Sequence, residues 1–293
     1  MNIEKGVLMK ILVTGAAGTI GRAVVSELSG RGHDVVALDL APEVEALDGV
    51  AKTVRADVTS IDEVGRAVAG CTGIVHLAGY VEPMVATPEE VFTSNAAGAF
   101  VVLQALADAG GDRAVLASSA SALGMAWSPT RFSPRYVPID EDHPPLPADP
   151  YGLSKLVLEQ VGAMFTRRHG MTVAALRFPW APGDDVRWSR IAEVAADPDH
   201  EGAVRDLWSY VHPRDVALAA ALALEADPFG FEVFNVTAAD TISDLPTAEL
   251  LRRFHPATRV REEIDGTAAA WSTRKAARLL GFEPTYSWRA ERR

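Results

Sequence analysis

The chain has 293 residues, 48% of them hydrophobic and 23% charged, enough apolar material for one large domain or two small ones. Its 28 Lys and Arg face 39 Asp and Glu, a net charge of −11 that repels phosphate backbones and argues against a nucleic-acid partner. A single cysteine, Cys71, excludes an internal disulfide and a cysteine-framed zinc site, and makes a reducing, cytoplasmic compartment the simplest expectation.

No uninterrupted apolar run reaches the ~18–20 residues of a membrane span, so no membrane partner is expected. Residues 1–9 lack the long apolar stretch of a signal peptide. From Met9 the chain reads Met-Lys-Ile-Leu-Val-Thr-Gly, a natural first strand, which leaves 1–8 as either a dispensable extension or an ordered lead-in. Strands are predicted at 10–14, 34–38, 53–55, 73–77 and 113–117, with helices at 20–28, 61–69 and 88–109. This alternation predicts an α/β fold, a doubly wound parallel sheet with helices on both faces. Continuous apolar runs such as Ile74-Val75-His76-Leu77 fit strands buried on both sides.

Residues 126–150 hold seven prolines and little periodicity, predicting a long functional loop over the sheet edge. The pattern resumes with a helix at 151–168 and a strand at 172–176. Beyond Phe178 the elements shorten into segments around 187–207, 241–264 and 268–288, with a helix at 213–226 and a strand at 232–236 able to rejoin the sheet. The expected division is a nucleotide-binding part over 1–178, with returns near 208–236, and a small carboxy-terminal substrate-binding part over 179–293. The closing Arg-Ala-Glu-Arg-Arg is expected to fray.

Thr14-Gly15-Ala16-Ala17-Gly18-Thr19-Ile20-Gly21 lies between the first strand and first helix. Gly15 permits the tight turn, Gly18 lets the backbone approach a pyrophosphate, and Gly21 lets the helix pack on the sheet. The helix amino terminus then presents unpaired N–H groups to the phosphates. Asp39, at the end of the second strand, can accept hydrogen bonds from both adenosine ribose hydroxyls and would repel a 2′-phosphate, which predicts NAD over NADP. Arg22, just past the last glycine, could soften that preference.

Tyr151 and Lys155, four apart, share one helix face. An ammonium beside a phenol lowers its pKa, and a phenol so tuned can serve as general base to an alcohol. Ser118 and Ser119 end a central strand, where ligands of parallel sheets bind. Asn95, among Ala96, Ala97 and Gly98, could bind a water or a carbonyl, or cap a kink.

These pieces together resemble the extended short-chain dehydrogenase/reductases, the NAD-dependent epimerase/dehydratase family. The resemblance takes in the glycine turn at 14–21, Asp39, Asp57-Val58, His76-Leu77-Ala78-Gly79, Asn95 and Ser118-Ser119-Ala120-Ser121 with Gly124. It continues through Pro150-Tyr151-Gly152-Leu153-Ser154-Lys155, Leu176-Arg177-Phe178-Pro179, Tyr210-Val211-His212-Pro213-Arg214-Asp215, Phe234-Asn235-Val236 and the closing 272–284, about 9–288 in all. It implies a Rossmann-type fold, NAD as cofactor, and Tyr151 as catalytic acid/base with Lys155 and Ser119. It also implies cofactor contacts from Gly15, Ala17, Gly18, Thr19, Ile20, Gly21, Asp57, Val58, Leu77, Ala78, Gly79, Asn95, Phe178 and Pro179, and a homodimer through helices 88–109 and 151–168.

The departures from the family pattern bear on the substrate. Nucleotide-sugar members usually carry an Asn after the Arg-aromatic pair, where this chain has Pro179-Trp180. About two dozen residues separate Gly183 from Trp208, short for wrapping a nucleotide. Dehydratases carry an Asp-Glu pair where this chain has Ala120 and Ser121. The short insert looks more like uronate dehydrogenases, with Arg187 or Arg190 as candidates for a substrate carboxylate, or else as ordinary surface arginines. Tyr80, Met125, Trp127, Trp180, Trp188 and Trp208 could line the pocket or belong to the core. The leading expectation is NAD-dependent oxidation of a secondary alcohol on a sugar acid, sugar or similar small molecule. An epimerase that keeps its NAD is the alternative, and a non-catalytic NAD sensor is disfavoured because Tyr151 and Lys155 are both present. His76 on a buried strand and six scattered histidines show no metal-ligand spacing, so no metal is expected.

Overall fold

The computed structural model describes residues 8–183 and 187–290, and of 187–190 the backbone alone. The readings of residues 1–7 as an extension and of 291–293 as part of the tail therefore lie outside the described residues. The elements in chain order are β1 (Lys10–Thr14), α1 (Thr19–Gly30), β2 (Asp34–Asp39), β3 (Lys52–Arg55), α2 (Ile61–Ala67), β4 (Gly73–His76), α3 (Pro88–Asp108) and β5 (Arg113–Ala117). Then follow β6 (Tyr136–Val137), α4 (Pro150–His169), β7 (Thr172–Arg177), α5 (Arg187–Ala196), α6 (Glu201–Arg205) and α7 (Pro213–Glu225). The last are β8 (Phe231–Asn235), α8 (Thr247–Phe254), β9 (Arg259–Val260) and α9 (Arg274–Leu280).

Seven strands form one sheet in the order β3-β2-β1-β4-β5-β7-β8, every pairing parallel. The order reverses between β1 and β4, and ligands of such sheets bind at the carboxyl ends of the strands beside that switch point. Period-2 alternation divides the apolar residues between the faces. Ile11 and Val13 pack under α1 and α7 with Val24, Leu28, Val216 and Phe234. Leu12, Ile74 and Leu116 pack under α2, α3 and α4 with Leu103, Leu158 and Phe165. β4 and β7 are buried along their whole length, as their continuous apolar sequences require.

Local chemistry sets the long helices. Thr87 and Glu90 close a capping box over the amino end of α3, with Pro88 in its first turn. Asp149 caps α4 through Gly152 N, and Gly170 ends it in the left-handed conformation. By length and composition α3 could cross a membrane, although no uninterrupted apolar run is that long. Here it is a core helix, with Val91, Ala99, Val102, Leu103 and Leu106 buried against the sheet and its neighbours.

The proline-rich stretch 126–150 is more ordered than a loop. Its β6 pairs in parallel with β9, more than a hundred residues away, and Val137 and Ile139 enter a small core with Leu123, Met125, Leu207, Leu251 and Trp271. A further cluster around Ile191, Val204, Trp208, Tyr210, Leu250 and Trp288 builds the roof over the sheet's carboxyl edge. The carboxy terminus does not fray at Arg289. Its guanidinium donates to Asp240 Oδ2 and Thr241 O, both at 2.6 Å, and lies over the Trp288 ring.

Glu159 of α4 meets Arg177, the last residue of β7, in a bidentate pair with both N–O distances 2.7 Å. Ser118, just past β5, donates to the same carboxylate at 2.6 Å, and both charged side chains are almost fully buried. Arg177→Met leaves Glu159 as a buried charge without its cation. A loss of ~3–5 kcal/mol in urea unfolding is expected; a loss below about 1 kcal/mol would show that the pair is not what holds α4 to the sheet.

Candidate active site

The carboxyl ends of β1, β4, β5 and β7 open into a cleft of about 760 Å³. Its floor carries Gly15, Gly18, Thr19, Ile20 and Gly21 from the turn, and Leu77 and Gly79 after β4. Ser118, Ser119, Ala120 and Ser121 follow β5, Tyr151 and Lys155 project from α4, and Phe178 and Pro179 follow β7. The walls are Tyr80, Val81, Glu82, Trp127 and Trp180 on one side, and Val194, His200, Gly202, Ala203, Asp206, Ser209 and Ile242 from the carboxy-terminal part.

The glycine turn fits a dinucleotide. Gly15 has φ +69°, and a side chain there would strike the backbone of Ala78. A Cβ on Gly21 would run into Gly15 O, so helix and turn pack this closely only with glycine. The N-cap of α1, Gly18, offers no side-chain cap, unlike the caps of α3 and α4, and the first turn of α1 carries no acid, so its first N–H groups are open to an anion. Asp39 is held beside the turn, accepting from Ala17 N (2.9 Å) and Ala41 N (3.0 Å). NAD, as a pyrophosphate-bridged dinucleotide, matches this donor set.

Other positions named from the sequence lie outside the cleft lining. The exposed Asp57 carboxylate accepts from Thr59 N and Oγ1, both at 2.8 Å, while Val58 is buried. Ala78 packs partly buried against the α2–α3 side of the core. Asn95 is spent within the protein: Oδ1 accepts from Tyr80 N (2.8 Å), and Nδ2 donates to Tyr80 O (3.1 Å) and Ser154 Oγ (3.1 Å). It pins the loop after β4 to the first turn of α4. Met125 and Trp208 belong to the core rather than the pocket, whereas Tyr80, Trp127 and Trp180 line the cleft. The side chains of Arg187, Trp188 and Arg190 lie outside the described residues. Glu82, Asp206 and Ser209 carry no motif in the sequence, and His200 enters the lining although it shows no metal-ligand spacing. The one signal was Asp206, an acid four residues ahead of Tyr210, where the family resemblance resumes.

Tyr151 and Lys155 share the cleft floor, with Lys155 Nζ 5.5 Å from the tyrosine ring centroid. Lys155 Nζ donates to Ala117 O at 2.9 Å, and burial lowers its pKa to about 8. In the protein itself burial outweighs the tuning toward neutrality expected from this lysine. Burial raises Tyr151 to about 12, and the charges of Asp149, Asp206 and Glu82 push the same way. The Ser119 hydroxyl opposes them by hydrogen bonding to the phenol oxygen. Ser118 instead turns its hydroxyl to Glu159. His76 is neutral, held to about 3 by burial and by Lys155, with Nδ1 2.8 Å from Thr14 Oγ1. Among the described residues no group of histidines, cysteines and carboxylates could hold a metal ion.

Residues 11–237 match the model of the NAD dependent epimerase/dehydratase family. The chain belongs to that family. This member is similar to the UDP-glucose 4-epimerase of Corynebacterium glutamicum, 29% identical over 313 positions that cover 95% of this chain and 92% of the relative. That alignment is longer than the 293 residues here, so the relative carries segments this chain lacks. Among solved structures, a short-chain dehydrogenase/reductase superfamily protein of Agrobacterium tumefaciens with bound NAD shares 25% identity and a TM-score of 0.71, over 96% of this chain and 94% of that one. A mutated uronate dehydrogenase shares 26% and a TM-score of 0.69, over 97% and 86%. The protein is thus an NAD-dependent enzyme on a Rossmann-type fold.

Two measurements check the electrostatics. Ultraviolet difference titration of wild type against Tyr151→Phe should show one phenol ionising only near pH 12; a difference already present at pH 9 would mean that Lys155 controls it. Burial raises Asp206 to about 7, so the fold favours its neutral form. Stability relative to that form is full below the usual Asp pKa of ~3.9 and lost as pH rises towards 7. Asp206→Asn should therefore raise Tm at pH 8 and leave it nearly unchanged at pH 4, the reverse order excluding a destabilising carboxylate.

Proposed function

We propose that the protein is an NAD-dependent dehydrogenase that oxidises a secondary alcohol of a sugar, sugar acid or similar small molecule in carbohydrate metabolism. The observation that carries this reading is the size and continuity of the cleft. About 760 Å³ extends from the glycine turn to Tyr151 and has to take part of the dinucleotide as well as the substrate. Pockets for one drug-sized ligand span ~300–1,000 Å³, so a second nucleotide finds little room. The extra segments of the longer epimerase relative agree with this.

In this reading Ser119 Oγ hydrogen-bonds the substrate alcohol, and Tyr151 Oη takes its proton. Tyr151 first gives its own proton to solvent, and Lys155 Nζ, beside the phenol, stabilises the phenolate that then receives the alcohol proton. NAD, when bound, supplies the hydride acceptor. Holding alcohol, phenol and serine in register on a rigid floor makes the proton transfer effectively unimolecular. The main-chain groups of Gly15 to Gly21 and the carboxylate of Asp39 would hold the dinucleotide, and Phe178 and Pro179 would flank its reactive end. Asn95 acts as a positioning residue through Tyr80 and Ser154.

The same reading includes a homodimer through α3 and α4, whose Phe100 and Leu153 are 44% and 43% exposed. It also places the protein in the cytoplasm, in keeping with its one buried free thiol, Cys71. The epimerase alternative, in which NAD stays bound and takes hydride only transiently, draws support from the likeness to UDP-glucose 4-epimerase along 95% of the chain.

The test is made on the purified protein. After desalting and denaturation, released nucleotide is quantified, and NADH formation is followed with added NAD and a panel of sugars and sugar acids. A dehydrogenase shows an empty site and substrate-dependent NADH accumulation, and Tyr151→Phe lowers kcat at least ~10²-fold, the scale of general acid–base catalysis. Stoichiometric NAD that survives desalting, with UDP-glucose converted and no net NADH, would replace the proposal with the epimerase.

A further inference from the structure

Asp206 has no part in the proton transfer, yet it faces the same cleft as Tyr151 and lies close enough for its charge to act on the phenol. It stands just past α6 on a rigid post. Its N–H donates to Gly202 O at 3.1 Å, and its carbonyl accepts from Ser209 N (3.1 Å) and the Ser209 hydroxyl. The next two residues, Leu207 (φ 56°) and Trp208 (φ 53°), are left-handed without being glycine, a conformation that persists only where the surroundings enforce it. Trp208 supplies that enforcement. Fully buried, it donates N–H to Ala203 O (2.7 Å) and its indole N–H to Pro198 O (3.1 Å).

The carboxylate itself accepts no hydrogen bond from the described residues. Arg205, next to it, is turned away to Glu201 Oε1 (2.7 Å) and Ser128 O (2.6 Å). At the other end of α6, His200 Nδ1 accepts from Ala203 N at 3.3 Å, which in a neutral ring leaves the proton on Nε2 as a donor. A fixed, half-buried acceptor and a donor on the substrate wall are what polyhydroxy ligands require, because hydroxyl-to-carboxylate bonds are charge-assisted. Among the described lining residues the acids are Asp206 and Glu82, and the one lysine, Lys155, is turned to Ala117 O. A second anion in this cleft meets two carboxylates in a poorly screened space.

We propose that Asp206, with the Nε2–H of His200, selects an uncharged polyhydroxy substrate by binding one of its hydroxyls, and rejects substrates bearing a carboxylate or a diphosphate. This rests on the reading of the cleft as a sugar-oxidising site and narrows that reading to neutral sugars.

The experiment is a calorimetric titration of the NADH-loaded protein with D-galactose, with D-galacturonate, which differs from it by a carboxylate, and with UDP-glucose. It is run at pH 8.5, above the value of about 7 to which burial lifts Asp206. Galactose should bind wild type at least tenfold more tightly than galacturonate or UDP-glucose. Asp206→Asn should weaken galactose binding about tenfold and close most of the gap to galacturonate. Tighter binding of galacturonate or UDP-glucose to wild type, no measurable galactose binding, or an unchanged ratio in Asp206→Asn would overturn the proposal. NADH formation from NAD and galactose is read separately. Its absence, with galactose still bound, would sink the oxidation reading and leave the selection intact. Should Asp206→Asn fail to fold, the wild-type ratio of galactose to galacturonate affinity decides alone.

Discussion

One buried carboxylate holds the working parts in register. Glu159 takes Arg177 from the end of β7, takes the hydroxyl of Ser118 from the end of β5, and sits on α4 two turns beyond Tyr151. Ser119, Tyr151 and Phe178 each lie close along the chain to a member of that cluster. Two charges removed from water are rarely a net source of stability, but once paired they admit one geometry. Asn95 plays the matching part on the other side, tying the loop after β4 to Ser154 of α4. The floor of the cleft is thus built from strand ends and a helix, held from beneath by these polar ties.

Above that floor the chemistry is deliberately unsaturated. α1 begins without a side-chain cap, Tyr151 is neutral far above physiological pH, and Asp206 is a half-buried acid that accepts no hydrogen bond from the described residues. The open N–H groups of α1 suit a pyrophosphate, and the Asp206 carboxylate suits a hydroxyl. The high pKa of Tyr151 follows first from burial, to which the charges of Asp149, Asp206 and Glu82 add. Stability given up at such a site is the usual accompaniment of function.

Much of the architecture was legible because it is local. The glycine turn, the Tyr151–Lys155 spacing and the alternation of short apolar runs with amphipathic helices are set by neighbours in sequence, and β1 and β5 fall on the residues their apolar runs delimit. The stretch 126–150 was illegible because its order comes from β9 and from Trp271, neither of which a local pattern can reveal. The tryptophans divided for a similar reason: Trp127 and Trp180 reach the cleft while Trp208 fills the core, a distinction of tertiary position and not of residue type.

The sequence by itself determined a dinucleotide-binding α/β protein with a tyrosine and a lysine on one helix face, since steric freedom at glycine and the helical period act over a few residues. Tertiary structure alone decided the ionisation of that tyrosine, the engagement of Asn95 and the exposure of Asp206 to the cleft. Those depend on desolvation and on charges brought together from residues 82, 149 and 206. Electrostatics acts through space, and only the folded chain says which charges are near.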